Sequence, residues 1–434
     1  MASPNGPPAD AAPRLFRGKP VVRMHAMVKP GGPICNLDCQ YCYYLSKEGL
    51  LGAENGWRIS DETLETFIRQ YIEGQNCKEV VFSWQGGEPT LLGLDFFRRA
   101  IALEKKYCPP HTRCENDLQT NGTRLDDAWC DFLRENGFLV GLSIDGPRDL
   151  HDAYRRDKAG RGTFDRVLRA AKLLRKHGVR FATLSCVNRA TAMRPVEVYR
   201  FLRDEVGSRR IQFIPVVEPK SFRGTAPQHW AAGEMPIAGT SAAQPGTPDS
   251  VVEEWSVDPR AWGEFLCRVF DEWYSRDLAR VHVQYFEAAV ETWMGRVSPL
   301  CTLGPLCGKG LAVEHDGGVY ACDHYVYPEF RLGNVLSEPI AGMALSAAQE
   351  RFGRNKEATL PGHCRQCEYE FACYGECPKN RFVRTPSGEP GLNYLCAGWK
   401  AFWRHVDAPI SRIVRDLGYA PVKKTVYATS SAME

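Results

Sequence analysis

Residues 35–44 read Cys-Asn-Leu-Asp-Cys-Gln-Tyr-Cys-Tyr-Tyr, which places Cys35, Cys39 and Cys42 close together. Three thiolates at this spacing can bind three irons of a four-iron cluster. No fourth cysteine follows nearby, so one iron is left open for a small-molecule ligand. Zinc is the structural alternative, but zinc sites usually have four ligands arranged as paired cysteines. The stretch therefore predicts a cluster with an open, catalytic iron.

This spacing, with Tyr41 just before the last cysteine, resembles the signature of the radical S-adenosylmethionine (SAM) enzymes. In that family the open iron binds SAM through its amino and carboxylate groups. An electron from the cluster cleaves SAM to methionine and a 5′-deoxyadenosyl radical, which takes a hydrogen atom from the substrate. The resemblance implies that the cofactor carries the difficult chemistry here.

A second group of cysteines lies in the C-terminal part of the chain. Its eight members are Cys301, Cys307, Cys322, Cys364, Cys367, Cys373, Cys377 and Cys396. Eight thiols can bind two closed clusters with four ligands each, which suits electron transfer or structure. Two zinc ions would satisfy the same count.

The intervals across these eight positions resemble those of the SPASM domain in anaerobic sulfatase-maturating enzymes, where two auxiliary clusters are interleaved. The resemblance implies one cluster on Cys301, Cys307, Cys322 and Cys377, and another on Cys364, Cys367, Cys373 and Cys396. The implied cofactors are three 4Fe-4S clusters and SAM. The six remaining cysteines, which are Cys77, Cys108, Cys114, Cys130, Cys186 and Cys267, are interpreted as buried or half-buried thiols.

Composition favours a soluble protein of a reducing compartment. The formal net charge is only +3 on 434 residues, so nucleic acid is not an expected partner. No apolar segment approaches the length of a membrane span, and no secretory signal is recognisable at the N-terminus. Cysteine richness without such a signal indicates metal rather than disulfides. The predicted location is the cytoplasm.

Strands alternate with amphipathic helices over residues 21–218, a pattern that predicts a parallel sheet in an α/β fold. The predicted strands are Val21–Val28, Glu79–Trp84, Cys114–Gln119, Phe138–Ile144, Arg180–Val187 and Ile211–Val217. Six such units are what the radical SAM family resemblance implies, as a partial (β/α)6 barrel. Ser60 is a predicted N-cap for the helix that follows the first strand.

The predicted domain limits are a disordered leader (1–20), the barrel (21–218), a linker or insertion (219–258), a bridging helical segment (259–300), the SPASM domain (301–400), and a C-terminal helix with a polar tail (401–434). The segment 219–258 is rich in Gly, Ala, Pro, Ser and Thr. It is either a disordered excursion or part of a peptide-binding channel.

Gln85, Gly86, Gly87 and Glu88 directly follow a predicted strand. Two glycines allow the backbone to approach a ligand closely. With the cysteine triplet, the loop resembles the family segment that binds the amino group of SAM. Gly-Gly-Glu-Pro alone would more often be a simple turn.

Two further positions are candidate SAM contacts. Ser143 ends the fourth predicted strand and resembles a family contact to SAM. Arg155 could pair bidentately with the SAM carboxylate. There are two alternatives. The adjacent Arg156 could bind the carboxylate instead, or Arg155 could simply lie on a solvated helix face.

Residues 311–322 predict a β-hairpin that ends at Cys322, and Asp323 follows directly. In sulfatase-maturating enzymes an aspartate at this place is the base that deprotonates the substrate side chain. Asp323 takes that role by resemblance, with His324 as a rival and a structural salt bridge as the alternative. Tyr44 and Gln85 match family positions that contact the peptide, and the alternative for Tyr44 is that it packs over the first cluster together with Tyr43.

The resemblance implies oxidation of a cysteine or serine, within a Cys/Ser-x-Pro/Ala-x-Arg segment of an unfolded sulfatase, to Cα-formylglycine. A ferredoxin or flavodoxin would exchange electrons with the clusters. One alternative is another SPASM peptide maturase that forms thioether or carbon–carbon links. A non-enzymatic iron–sulfur electron carrier is the other, and it predicts closed sites only.

Overall fold

The structure is a computed structural model that describes residues 15–20, 22–51, 54–221, 226, 231, 233–308 and 310–422. The chain divides into two compact units. Unit 1 takes in the chain up to Leu184, together with Asp204–Ser208 and Gly308–Gly353. Unit 2 takes in Ser185–Arg203, Arg209–Cys307 and the chain from Arg354 onward.

The strands are β1 (Leu15–Phe16), β2 (Lys19–Pro20), β3 (His25–Lys29), β4 (Glu79–Trp84), β5 (Arg113–Thr120), β6 (Leu139–Ser143), β7 (Arg180–Val187), β8 (Arg210–Pro215), β9 (His282–Val283), β10 (Gly310–Glu314), β11 (Gly318–Tyr320) and β12 (Arg331–Asn334). The α-helices are α1 (Asp61–Glu73), α2 (Leu94–Tyr107), α3 (Asp127–Glu135), α4 (Arg148–Tyr154), α5 (Phe164–Lys176), α6 (Pro195–Arg200), α7 (Pro259–Arg276), α8 (Gln284–Trp293), α9 (Ile340–Ala344), α10 (Ala347–Ala358), α11 (Gly362–Arg365), α12 (Glu370–Cys373) and α13 (Cys396–Asp416).

Unit 1 is built on a sheet with the strand order β12-β11-β10-β3-β4-β5-β6-β7, of which β7 contributes its first residues. Neighbouring strands are parallel from β10 to β7, whereas β11 and β12 pair antiparallel at one edge. Parallel sheets are covered on both faces and therefore carry apolar side chains throughout. Val28, Phe82 and Leu118 are accordingly fully buried.

All six predicted strands are present, and two of them, β4 and β7, have the predicted bounds. The first predicted strand, Val21–Val28, starts too early. Strand β3 begins at His25, and Val22 forms an isolated bridge with Asn76 instead of pairing within the main sheet. The last prediction also ran too far, since β8 ends at Pro215, which has no N–H to continue the pairing.

Helix α1 confirms the predicted cap. The Ser60 hydroxyl accepts a hydrogen bond from the Thr63 N–H at 3.0 Å. This satisfies one of the free N–H groups at the start of the helix. The predicted apolar face of α1, which is Leu64, Phe67, Ile68, Tyr71 and Ile72, is buried.

The predicted hairpin is present as β10 and β11, but its packing differs from the predicted domain limits. Strand β10 pairs in parallel with β3 over its whole length, from Gly310 opposite His25 to Glu314 opposite Lys29. The segment Gly308–Gly353 therefore belongs to unit 1 with the barrel strands. A boundary at residue 301 does not separate the two units.

In unit 2, α7 buries the predicted stripe, which is Trp262, Phe265, Leu266, Val269, Phe270 and Trp273. Helices α7 and α13 approach closely at Gly398. A Cβ at this position would lie 2.0 Å from the Pro259 carbonyl oxygen, so the close approach requires glycine. The described part of segment 219–258 is not a disordered excursion. Pro219 bridges Val252, and Trp255 and Val257 are buried.

Residues 15–20, predicted to be part of a disordered leader, form the paired strands β1 and β2, while residues 1–14 lie outside the described residues. The polar tail from residue 423 also lies outside them. In the part of the chain that is described, no helix is both long and apolar enough to cross a bilayer.

Candidate active site

The three N-terminal cysteines occupy the loop that follows β3 in unit 1. The Cys35 sulfur accepts hydrogen bonds from the Leu37 N–H at 3.3 Å and from the Asn121 side-chain amide at 3.7 Å. Burial raises the pKa of the Cys35 thiol to about 12 and also raises that of Cys39. Binding of iron must therefore displace protons from these thiols.

Each of the three thiols lies within electrostatic reach of the others. Among the described residues, however, no three His, Cys, Asp or Glu side chains converge as the ligands of a single ion would. In a four-iron cluster each thiolate ligates a different iron, so convergence on one point is not required. The donor set fits a cluster better than a mononuclear zinc ion.

The glycine loop after β4 is hydrogen-bonded to the segment that leads into Cys35. The Gly87 N–H donates to the Gly32 carbonyl at 2.9 Å, and the Glu88 N–H donates to the Ile34 carbonyl at 2.8 Å. A Cβ on Gly87 would lie 2.0 Å from the Ile34 oxygen, so only glycine fits. The structure thus brings the predicted cofactor loop and the cysteine loop together.

The Glu88 carboxylate points into the protein and is 2 % exposed. It accepts hydrogen bonds from Thr90, from the Thr120 hydroxyl at 2.8 Å and from the Asn121 N–H at 2.7 Å. Its side chain therefore ties this loop to the end of β5. What the loop presents to a ligand is its backbone.

The two adjacent arginines are in different environments. Arg155 is buried, donates to the Asp145 carboxylate at 3.0 Å and lies 5.5 Å from the Tyr41 ring. The exposed Arg156 side chain donates to the Asp152 backbone carbonyl at 3.0 Å. The solvated-face interpretation of Arg155 is wrong, because this side chain is buried and paired with Asp145. Its charge also lowers the pKa of nearby Cys39 against the effect of burial. Ser143 ends β6 and is buried.

Asp323 belongs to a buried charged cluster in unit 1. Its carboxylate forms an ion pair with Lys29 and accepts a hydrogen bond from the Tyr43 hydroxyl. Burial alone would raise the pKa of Asp323, but the Lys29 ammonium, His324 and the Tyr43 hydrogen bond hold it at about 2. Asp323 is therefore ionised at neutral pH. His324 lies beside it, with its ring 5.5 Å from the Tyr43 ring.

Glu314 is a second carboxylate of this cluster that sequence reasoning missed. It is fully buried, and its two carboxyl oxygens share the one proton of the Tyr44 hydroxyl, whose oxygen lies 2.8 and 2.7 Å from them. Burial raises the pKa of Glu314 to about 7, even though Lys29 and Tyr44 favour its charged form. Lys29 was also missed. Lys29 and Glu314 are each the charged last residue of a largely apolar strand. A charge at that position is a sequence signal that could have pointed to the site.

The cysteines of unit 2 fall into two groups. Cys377 lies within electrostatic reach of Cys301 and Cys307. Cys373 and Cys396 instead interact with Cys364 and Cys367. For these seven cysteines the grouping agrees with the one that the family resemblance implies, whereas Cys322 is located in unit 1 and its place in the first group stays a prediction.

The chain between Cys373 and Cys377 explains why neighbours in sequence join different groups. Tyr374, Gly375 and Glu376 all have left-handed backbone angles, with φ of 44°, 66° and 50°. Three such residues in succession turn the chain sharply. The Arg381 guanidinium donates to the carbonyls of Tyr374 and Gly375 and so supports this turn.

Two buried cations lie beside the first of these groups. Lys356 donates to the carbonyls of Cys301 at 2.8 Å and Thr302 at 2.7 Å, and it is completely buried. Burial lowers the pKa of Lys356, whereas the Cys307 and Cys377 thiolates favour its charged form. Within the described residues neither Lys356 nor Arg381 forms an ion pair with a carboxylate. A buried cation needs nearby negative charge, and a thiolate-bound iron–sulfur cluster supplies it.

Comparisons with known proteins agree with this site. The family model of the radical SAM superfamily matches residues 30–202, and that of an iron–sulfur cluster-binding domain, SPASM, matches residues 306–368. A serine-type anaerobic sulfatase-maturating enzyme of Bacteroides thetaiotaomicron is 43 % identical over 383 residues, covering 88 % of this chain and 89 % of the relative. The cysteine-type enzyme of Clostridium perfringens is 32 % identical, covering 87 % and 95 %.

The chain belongs to the anaerobic sulfatase-maturating enzyme family. It is therefore a radical SAM oxidoreductase whose cofactors are SAM and 4Fe-4S clusters, auxiliary clusters included. The solved structure described as native anSMEcpe with bound AdoMet has a TM-score of 0.77 and 31 % identity, covering 91 % of this chain and 100 % of that chain. The same protein with bound AdoMet and Cp18Cys peptide has a TM-score of 0.76, covering 91 % and 99 %. That relative therefore binds a peptide together with AdoMet.

The buried cations of unit 2 generate a prediction about iron removal. Chelation removes the negative charge of the cluster and leaves Lys356 with the buried Glu376 carboxylate as nearby counter-charge. Lys356→Met should therefore narrow the difference in unfolding free energy between the reconstituted and the iron-free protein by about 3 kcal/mol. Anaerobic urea unfolding of both forms measures this difference. Lys220→Met, at an exposed lysine of the same unit, should leave it unchanged. Equal differences in wild type and Lys356→Met would contradict the assignment.

Proposed function

We propose that this protein oxidises one cysteine or serine side chain of a sulfatase to Cα-formylglycine. The target lies in a Cys/Ser-x-Pro/Ala-x-Arg segment of the unfolded polypeptide. The observation that carries the proposal is the ionised, half-buried Asp323, which is held by Lys29 and Tyr43 in the same compact unit as the cysteine triplet. Membership in the sulfatase-maturating family supports it.

Cys35, Cys39 and Cys42 are the proposed ligands of the SAM-binding cluster. When bound, the cluster and SAM supply the 5′-deoxyadenosyl radical that removes a hydrogen atom from the substrate Cβ. The backbone of Gly86 and Gly87 is proposed to bind the amino group of SAM, because the Glu88 side chain is already hydrogen-bonded within the protein.

Ser143 and Arg155 complete the proposed SAM site. Ser143 lies at the carboxyl end of β6, the edge of the sheet where the glycine loop also lies after β4. Arg155 can share its guanidinium between Asp145 and an incoming carboxylate, since arginine has five N–H donors.

Asp323 is proposed to accept the proton of the substrate thiol or hydroxyl once the Cβ hydrogen has been removed. A base in this role must lie within hydrogen-bond reach of that proton. Loss of the proton makes the carbon radical a strong reductant, so that a second electron can leave. Tyr43 and Lys29 orient the Asp323 carboxylate.

Gln85 and Tyr44 are proposed substrate contacts. Gln85 directly follows β4 and is half-buried. The Tyr44 side chain is buried, its hydroxyl is held by Glu314 and the Lys29 ammonium lies 4.3 Å from its ring centroid, so its proposed contact rests on the family resemblance alone.

The eight C-terminal cysteines are proposed to bind the two auxiliary clusters in the interleaved arrangement. Arg381 and Lys356 balance the negative charge at the group of Cys301, Cys307 and Cys377. A ferredoxin or flavodoxin is the proposed electron partner. The proposed location is the cytoplasm, where a reducing environment keeps ligand thiols available.

Turnover with two peptides tests the proposal. The reconstituted protein, SAM and a low-potential reductant are incubated anaerobically with a Cys-x-Pro-x-Arg or a Ser-x-Pro-x-Arg peptide. Mass spectrometry is expected to show an aldehyde together with matching 5′-deoxyadenosine. The more similar of the two relatives above is serine-type, so conversion of the serine peptide is the stricter test. Peptide crosslinks instead of aldehyde would support another maturase, and no deoxyadenosine from a fully loaded protein would contradict the catalytic assignment.

Substitution of the proposed base gives a second prediction. Asp323→Asn keeps the shape of the side chain but removes its charge, so aldehyde formation should fall about 100-fold or more. Formation of 5′-deoxyadenosine should persist, because the Asp323 side chain is not a proposed contact of SAM. Asp316→Asn, at a partly exposed carboxylate on the nearby hairpin turn, is the matched control and should turn over normally. Undiminished aldehyde formation by Asp323→Asn would rule out this role.

A further inference from the structure

Two cysteines outside all the cluster groups have their sulfur atoms in direct contact. Cys108 immediately follows α2, and Cys114 is the second residue of β5. Their Sγ atoms are 2.7 Å apart, and a disulfide bond is about 2.05 Å long, so closing the bond requires a movement of only about 0.7 Å. The sequence places these two thiols near each other, but only the structure brings the sulfur atoms together.

The loop between the two thiols is stiff. Residues 109–112 are Pro-Pro-His-Thr, and the two prolines fix their own φ angles. The Thr112 N–H donates to the Pro109 carbonyl at 2.9 Å, and the Thr112 hydroxyl donates to the Cys77 carbonyl at 3.1 Å. The close approach of the sulfurs is therefore imposed by local structure.

The two sulfurs are not equivalent. Cys114 donates its S–H hydrogen to the Cys108 sulfur, and burial together with this hydrogen bond raises the pKa of Cys114. The Cys108 S–H donates to the Thr112 carbonyl at 3.2 Å. Because the thiolate is the form that attacks disulfides, the raised pKa of Cys114 makes Cys114 the poorer first nucleophile of the two. Both residues are half-buried, so a small molecule can reach them.

The pair lies far from the proposed active site. Cys114 is near the start of β5, whereas Thr120 and Asn121, which contact Glu88, are at its other end. Six residues of strand span roughly 20 Å. Oxidation of the pair therefore does not involve the thiols proposed to bind the SAM-binding cluster.

We propose that Cys108 and Cys114 form a reversible disulfide by exchange with a low-molecular-weight disulfide. The Cys108 thiolate attacks one sulfur of the small disulfide and releases one small thiol, which leaves a mixed disulfide on Cys108. The Cys114 sulfur then loses its proton, attacks the Cys108 sulfur and releases the second small thiol. The two protein thiols are oxidised by two electrons, the small disulfide is reduced, and both protein protons end on the released thiols.

Oxidised glutathione is the probe, applied anaerobically to the cluster-loaded protein at graded ratios to reduced glutathione. After acid quenching and alkylation, trypsin cleaves after Lys106, Arg113 and Arg124, so the disulfide links peptides 107–113 and 114–124. The linked peptides are expected to increase with the fraction of oxidised glutathione. They should disappear on addition of a reducing thiol.

Cys114→Ser is expected to accumulate the glutathione adduct on Cys108, whereas Cys108→Ser should leave Cys114 without one. Cys267→Ser, at a half-buried thiol on α7, is the control and should form the 108–114 link normally. No linked peptide at any ratio, or a link from Cys114 to Cys77 instead, would overturn the proposal. The readout does not depend on peptide turnover, so its failure would leave the proposed function intact.

Discussion

A buried ammonium group beside two carboxyl groups, one half-buried and one fully buried, is the interaction on which the site depends. Lys29 ends β3, is 2 % exposed, pairs with Asp323 and stands opposite Glu314 in the strand register. A buried lysine remains charged only if negative charge compensates it. The cysteine loop contributes Tyr43 and Tyr44, which hydrogen-bond to the two carboxylates. Barrel strand, hairpin and cysteine loop are thereby held in one arrangement.

Local sequence rules predicted much of the fold. Periodicity gave all six barrel strands, and Ser60 capped α1 as expected because capping depends only on neighbouring residues. The pairing of β10 with β3 was not predictable in the same way. It joins segments almost 300 residues apart, and nothing in either strand specifies its partner. The compact units consequently differ from the predicted domain limits.

The candidate site, like the fold, was predictable from the sequence only where local residues decide the structure. Spacing alone pointed to the cysteine triplet, the glycine loop needed the family resemblance as well, and the structure brings the two together through Gly87. Sequence could not show that the Glu88 carboxylate faces the protein interior, since a turn residue can point either way. The grouping of Cys377 away from Cys373 required family resemblance, because it depends on three left-handed residues between them.

Transfer of hydrogen from the substrate Cβ is the central claim of this account. The most direct measurement uses a target peptide deuterated at Cβ of the reacting cysteine or serine, followed by mass spectrometry of the 5′-deoxyadenosine formed. The account predicts that deoxyadenosine gains deuterium in proportion to the aldehyde produced. Aldehyde accompanied by unlabelled deoxyadenosine would show that the hydrogen comes from elsewhere, and would contradict the account.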